Sequence, residues 1–464
     1  MARSHAARTS TAAGSLLLAC SLTLGAPAHA QQPAQGDVPP ARDARIYQII
    51  NDVSAERIEA DIRTLAGFGT RNTYSDTLSA TRGIGAARRW IKAEFDRISA
   101  ACGGCLEVSY QSSTVQGRPQ GATEPQPVTV VNVIATLRGI THPDRYVIMA
   151  GDIDSRASNG SDFTSDAPGA NDNASGMAGV IEAARVMSQH RFGKSVVFVG
   201  LSGEEQGLWG GQHMASVAQE AGWQIEAVLN NDMIGNIEGL DGVIENTVFR
   251  VFSEPTPVTE TERERRARRT AGGEVDGVSR QLARYVERIT REYFTNLDAM
   301  MIYRLDRFGR GGHHRPFNDL GFPGVRIMEA HENYTRQHQD IRTEDGIAYG
   351  DVVEGVNFDY ARKLTGVNAA VLSALAWAPP PPDTARIRGA VRPSTTVSWS
   401  AVNDPNLAGY KIYWRLTTAP QWTDWVFVGD VTEHLMENII IDNYVFGVAA
   451  VARNGNESVV VFGR

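Results

Sequence analysis

Apolar positions along the chain change their period more than once, and the changes divide it into regions. Ile91, Phe95 and Ile98 fall at helical spacing. Val128, Val130, Val131, Val133 and Ile134 then predict a strand, and residues 146–150 a short, continuously apolar one. Val180, Ile181, Ala184 and Met187 return to helical spacing, and residues 195–201 read as another buried strand. A helix over about 211–221 leads to a strand at 227–230, and residues 324–328 add one more. Strands alternating with helices predict an α/β domain over residues 45–377, a three-layer α/β/α arrangement with a mostly parallel central sheet. Residues 255–275 break the rhythm with a run of Glu and Arg from Glu262 to Arg269. The run lacks interleaved aromatics, so a solvated helix or surface insertion is expected there.

At Ala378 the pattern stops in four prolines and Asp383, which read as a stiff linker over residues 378–383. Beyond it the period becomes two: Val397 and Trp399, then Tyr410, Ile412 and Trp414, then Tyr444, Phe446, Val448 and Ala450. Short strands at regular spacing predict an all-β sandwich over residues 384–464. Its segments Thr-Val-Ser-Trp at 396–399, Leu-Ala-Gly-Tyr-Lys-Ile-Tyr at 407–413 and Tyr-Val-Phe-Gly-Val-Ala-Ala at 444–450 resemble a fibronectin type III module.

The N-terminus carries the one long apolar stretch. Arg3 and Arg8 precede an apolar segment at 14–24, followed by Ala28-His29-Ala30. A basic start, an apolar centre and a small-x-small end predict a secretory signal peptide over residues 1–30, too short to act as a membrane anchor. Residues 31–44, rich in Gln, Pro and Ala, read as a flexible leader. Removing the signal leaves two of the 3 cysteines, Cys102 and Cys105, separated by two glycines. In an oxidising compartment such a pair is expected to close a small disulfide loop. The protein is therefore expected to be exported, periplasmic or secreted.

Composition excludes several classes. With 464 residues, 42% hydrophobic and 21% charged, the chain is neither disordered nor collagenous. A net charge of -8, from 45 basic against 53 acidic residues, disfavours nucleic acid and anionic membranes as partners. No transmembrane segment is expected.

Acidic residues cluster at the ends of the predicted parallel strands: Asp152 and Asp154 after 146–150, Glu204 and Glu205 after 195–201, and Asp232 after 227–230. In open α/β sheets these ends meet at the ligand crevice. A turn-rich loop over 167–176 delivers Asp172 just before a helix, and His338 follows the strand ending at Met328. So many carboxylates in one crevice repel one another unless a cation joins them, and a divalent metal is the usual remedy.

These segments resemble the zinc-dependent aminopeptidase-type metallopeptidases, peptidase family M28, over residues 46–375. The resemblance implies that Asp172, in Pro-Gly-Ala-Asn-Asp, bridges two metals. It further implies that Glu204 acts as general base, that Glu205 and Asp232 are ligands, and that His338 completes the second metal. Adjacent glutamates suit that division, because successive side chains at a strand end point in different directions. Two metals acidify a water and polarise the scissile carbonyl. Two zinc ions are thus the implied cofactors.

Two positions depart from the family pattern. Asp152-Ile153-Asp154 stands where His-x-Asp is usual, so a carboxylate replaces an imidazole ligand, while Asp154 keeps its supporting position behind the ligands. The first metal position should then tolerate manganese or magnesium, or stand empty. Gly312-His313-His314 stands where the family tends to have Ser-Asp-His, with His314 aligned to a residue near the substrate and His313 in place of the Asp. The family's tyrosine donor has no counterpart, and Arg304, Arg307, Arg310 and Arg315 crowd this segment, where Arg310 is a candidate for a substrate carboxylate. The expected activity is an exported metal-dependent exopeptidase, an aminopeptidase that takes peptide substrates. The alternatives are a single-zinc glutaminyl cyclase, for which Asp172, Glu205 and His338 suffice, and a secreted binding protein whose sandwich domain docks on a polysaccharide or protein surface.

Overall fold

The computed structural model describes residues 38–464, so the signal-peptide segment and half of the leader, residues 31–37, lie outside the described residues. The chain runs α1 (Ala44–Asp52), α2 (Ala55–Ala66), α3 (Gly83–Ala101), β1 (Leu106–Gly117), β2 (Gln126–Leu137), β3 (His142–Asp152), α4 (Gly176–Met187), β4 (Lys194–Leu201), α5 (Trp209–Glu220) and β5 (Gln224–Asn231). It continues with β6 (Val248–Phe252), α6 (Glu262–Ala271), α7 (Val278–Tyr293), β7 (Asp298–Ile302), α8 (His314–Asp319), β8 (Gly324–Glu329), the small hairpin β9 (Arg342–Glu344) and β10 (Ile347–Tyr349), and α9 (Phe358–Trp377).

Eight strands form one sheet in the order β1-β2-β4-β3-β5-β8-β6-β7. The central four, β4, β3, β5 and β8, are parallel, so their C-terminal ends open on one edge of the sheet. The β6/β7 pair is parallel too, whereas β1/β2, β2/β4 and β6/β8 are antiparallel, so the sheet is mixed with parallel pairs in the majority, as expected. The central strands are buried along almost their whole length, as expected for strands covered on both faces. One face carries α1–α4, α7 and α9, and the other carries α5 and α8. Helix α9 is buried nearly all round because it lies between the sheet and α1, α2 and α4. The Glu/Arg run forms α6, which buries no residue and starts with a reciprocal Thr261/Glu264 capping box. Cys102 and Cys105 close a loop at the end of α3, with Cα atoms 5.6 Å apart.

The C-terminal region adds β11 (Ala385–Arg388), β12 (Thr395–Trp399), β13 (Leu407–Leu416), β14 (Asp424–Gly429), β15 (Glu433–Met436), β16 (Tyr444–Ala452) and β17 (Val461–Phe462). A three-stranded sheet, β11-β12-β15, faces a four-stranded one, β14-β13-β16-β17, around Val397, Trp399, Tyr410, Ile412, Phe446 and Val448. This sandwich is not held away by its prolines. Pro379, Pro380 and Pro382 are buried, and Lys194 Nζ donates to Pro379 O at 3.2 Å. Asp276 accepts from Arg284 of α7 at 2.7 Å and from Arg415 of β13 at 2.7 Å, with all three side chains almost fully out of solvent. Tyr285 of α7 donates to Glu457 O at 2.8 Å, and His142 meets Asp404 at 2.8 Å. Buried, mutually satisfied contacts of this kind are those of an interior, and losing one partner leaves the others uncompensated. Among the described residues no helix is long and apolar enough to cross a membrane.

Candidate metal centre

The site lies where the parallel strands end. The turn after β4 carries Gly203, Glu204 and Glu205, and its shape is set by Asp154, just past β3. Asp154 Oδ1 accepts from the backbone N–H of Gly203 at 2.8 Å and of Glu204 at 3.1 Å, and Oδ2 accepts from that of Glu205 at 3.1 Å. Gly203 has φ 76°, a conformation that favours glycine. Asp154 therefore orients both glutamates without facing the cleft itself.

Asp172 is held from behind. Asp351 accepts from the N–H groups of Asn171 at 2.8 Å and Asp172 at 2.7 Å. The buried Arg71 donates to Ile153 O at 2.8 Å and Gly169 O at 2.9 Å, tying the loop to the end of β3. Gly169 is required here, since a Cβ would lie 2.4 Å from Asp172 O. Arg71 and Asp351 escaped the sequence reading, because isolated polar residues in loops carry no periodic signal.

His338, in the loop after β8, places Nε2 at 2.9 Å from Asp172 Oδ2 and 3.1 Å from Glu205 Oε1. Asp172, Glu205 and His338 offer ligand atoms within 4.8 Å of one another, and they are the set of three that does so among the described residues. Two carboxylates and an imidazole suit zinc and leave a coordination position open for water or substrate. Burial opposes charge on His338, but Glu205 and Asp172 hold its pKa up to about 10. The three side chains thus already gather around a positive centre.

Asp152 and Asp232 lie outside this set. Asp152, almost fully buried, lies 2.6 Å from His313 Nδ1 and accepts from Asn173 Nδ2 at 2.7 Å. The two departures from the family pattern are thus one exchange: acid at 152, imidazole at 313, facing each other. Asp232 Oδ2 lies 2.7 Å from Nη2 of Arg326, a fully buried residue of β8. Arg326 was missed, although a charged residue inside the apolar run Gly-Val-Arg-Ile-Met was a signal, because a buried arginine requires an acid. His314 is also fully buried, with Nε2 2.8 Å from Leu305 O, so it backs the loop and does not face substrate.

Glu204, Glu205, Asp172, Asp232 and His338 line a cleft of about 750 Å³, together with Arg156, Arg307, Arg310 and Arg315. Burial, then the charges of Glu205, Asp232 and Asp152, push the Glu204 carboxyl well above its usual range. A cation held on Asp172, Glu205 and His338 would offset that repulsion and leave Glu204 able to accept a proton. Arg307 is engaged by Glu332 at 2.8 Å, whereas Arg310 reaches toward His338 Nδ1 at 3.5 Å.

Comparison with known proteins agrees with this site. The profile of Peptidase family M28 matches residues 132–353, a span that includes Asp152, Asp172, Glu204, Glu205, Asp232 and His338. A protein of Leptosphaeria maculans named "probable zinc metalloprotease" is 39% identical over 428 residues, covering 92% of this chain and 98% of its own length. One of the same name from Pyrenophora tritici-repentis is 39% identical, covering 92% and 88%. Among solved structures, LapA of Legionella pneumophila matches with a TM-score of 0.51 at 18% identity, over 73% of this chain and 78% of its own. An aminopeptidase from Aneurinibacillus sp. strain AM-1 gives 0.50 at 14% identity, over 72% and 96%. Likeness at such identity is likeness of fold. From the profile match and the full-length relatives together, the chain belongs to peptidase family M28 and is a zinc metallopeptidase.

Proposed function

We propose that the chain is an exported zinc exopeptidase that removes N-terminal residues from peptides, working with one ion on Asp172, Glu205 and His338. The observation that carries the reading is Glu204 beside those three side chains on the floor of a cleft large enough for a few residues of peptide. Zinc, when bound, supplies Lewis-acid polarisation and acidifies water. Glu204 takes the proton of the attacking water and passes it to the leaving amine. Asp154 keeps Glu204 and Glu205 in place through its three backbone hydrogen bonds.

The preference for a free N-terminus is supported by Asp232. Asp232 lines the cleft beside Glu204 and Glu205, and these acids together favour a cationic group of the substrate. Arg310 and Arg315 at the cleft favour an anionic group further along the substrate. Export rests on the basic and apolar pattern of residues 1–30, and a Cys102–Cys105 disulfide and a fibronectin type III-like module suit an extracellular protein.

The test is a panel of aminoacyl substrates with free and acetylated amines, plus an N-terminal glutaminyl peptide. Turnover of the free-amine set, lost with chelator and restored by zinc, is expected. Equal turnover of acetylated substrates would remove the aminopeptidase reading, and cyclisation of the glutaminyl peptide without hydrolysis would replace it by a cyclase.

A further inference from the structure

Arg326 has no place in the activity described above, yet it sits among the acids of the site. Its Nη1 donates to Gly311 O at 2.8 Å and lies 3.1 Å from Asp306 Oδ1, while Nη2 lies 2.7 Å from Asp232 Oδ2. It projects from a central strand and is fully buried, so this position is fixed by the core. Resting on the one-ion reading of the site, we propose that the Arg326 guanidinium takes the place of a second divalent ion, so that the chain holds a single ion.

Three observations support this. First, the Arg326 guanidinium lies 2.7 Å from Asp232 Oδ2 and offsets part of the cost of charge on that buried acid, whose pKa burial still pushes up to about 8. Burial works against the charge of Arg326, but Asp232, Asp306 and Glu204 keep the guanidinium protonated, above its ordinary range. Secondly, the other acid expected at the first position, Asp152, has both oxygens engaged by His313 and Asn173, so a second ion would depend on Asp232 and a shared Asp172 and would be held weakly. Thirdly, a divalent ion on Asp232 would lie a few ångströms from a fixed positive charge in a medium that screens poorly, so the two cations compete for one carboxylate.

The substitution is not an equivalence. Arg326 is absent from the cleft lining, so it reaches substrate only through Asp232 and is a positioning residue. It neutralises Asp232 in part, does not exchange with solvent, and offers no open coordination position.

The test counts zinc by elemental analysis and native mass spectrometry on the full chain after equilibration with a few equivalents of zinc and desalting. One zinc per chain is expected in the parent, in Asp232→Asn and in Arg326→Lys, which keeps the cation. Arg326→Met, of similar length without the charge, should gain a second, weaker zinc in a competition titration with a chromophoric chelator. Two zinc ions in the parent, falling to one in Asp232→Asn, would overturn the proposal. So would a folded Arg326→Met that still binds one. If Arg326→Met is insoluble, the counts on the parent and Asp232→Asn decide. A parent with one zinc and no turnover of free-amine substrates would defeat the aminopeptidase reading and leave this inference standing.

Discussion

The two halves of the carboxylate cluster start from similar material and end in different chemistry. In one half, Asp172 and Glu205 face an imidazole whose nitrogen lies about equally close to both. In the other, Asp152 and Asp232 each face a partner from an element late in the sequence, His313 before α8 and Arg326 in β8. All four acids lie at or beyond the ends of adjacent strands or their loops. What separates them is how the opposing groups are arranged: His338 is shared by Asp172 and Glu205 at the cleft, whereas His313 and Arg326 are fully buried and each faces one acid of the second half. Position at a strand end makes an acid available, and the opposing residue sets what it faces.

The contrast breaks most visibly at the first half. Asp172→Ala or His338→Ala leaves two ligand groups where three were gathered. Zinc content is expected to fall to near zero and turnover to background, measured on protein purified alongside the parent. Retention of zinc by both variants would mean that the ion is held elsewhere.

Next in size is Glu204→Gln. The amide keeps the shape but cannot accept a proton, so turnover should drop by about a hundredfold to ten thousandfold at unchanged zinc content. A loss within about threefold would take the proton-transfer role away from Glu204.

A smaller, graded effect follows from His338. Zinc must displace the proton that Glu205 and Asp172 stabilise there, with a pKa of about 10. Apparent zinc affinity should therefore rise with pH below that value, by about tenfold per unit if one proton leaves. In the zinc-free protein the sign is opposite: the raised pKa adds stability that is complete below the ordinary histidine value of 6.5 and is lost as pH rises toward 10. Chelator competition at pH 6, 7 and 8 measures the first, and a slope near zero would mean that His338 is not a ligand.

The sequence showed most of this framework and little of its pairing. Asp152, Glu204, Glu205 and Asp232 were legible because apolar runs mark the strands and the acids follow them directly. The sandwich was legible from the period of two in β13 and β16. The pairings of Asp152 with His313 and of Asp232 with Arg326 span 161 and 94 positions, and no local pattern encodes contacts at that distance. Strands β6 and β7 were missed because each is only 5 residues long, too short to establish a period. The prolines at 379–382 look like a spacer by composition, yet composition says nothing of the surface they meet: three of the four are buried, and Pro379 O accepts from Lys194 of β4.

The smallest expected effect tests the second half directly. If Asp152 serves His313 and no metal, Asp152→Ala should leave zinc content unchanged and cost stability, since it strands the buried Nδ1–H of His313 and the amide of Asn173. An unsatisfied buried donor costs about 1 to 3 kcal/mol, readable as a lowered midpoint of urea unfolding. The exchange of acid and imidazole offers a sharper version. Asp152→His places two imidazoles together and His313→Asp two carboxyls, so each alone should destabilise, whereas the double variant restores one acid facing one imidazole in reverse order. The double variant is expected to be more stable than the sum of the single changes allows, the signature of residues in direct contact. Additive losses, or a zinc ion lost from Asp152→Ala, would show that Asp152 belongs with the metal and would erase the difference between the two halves.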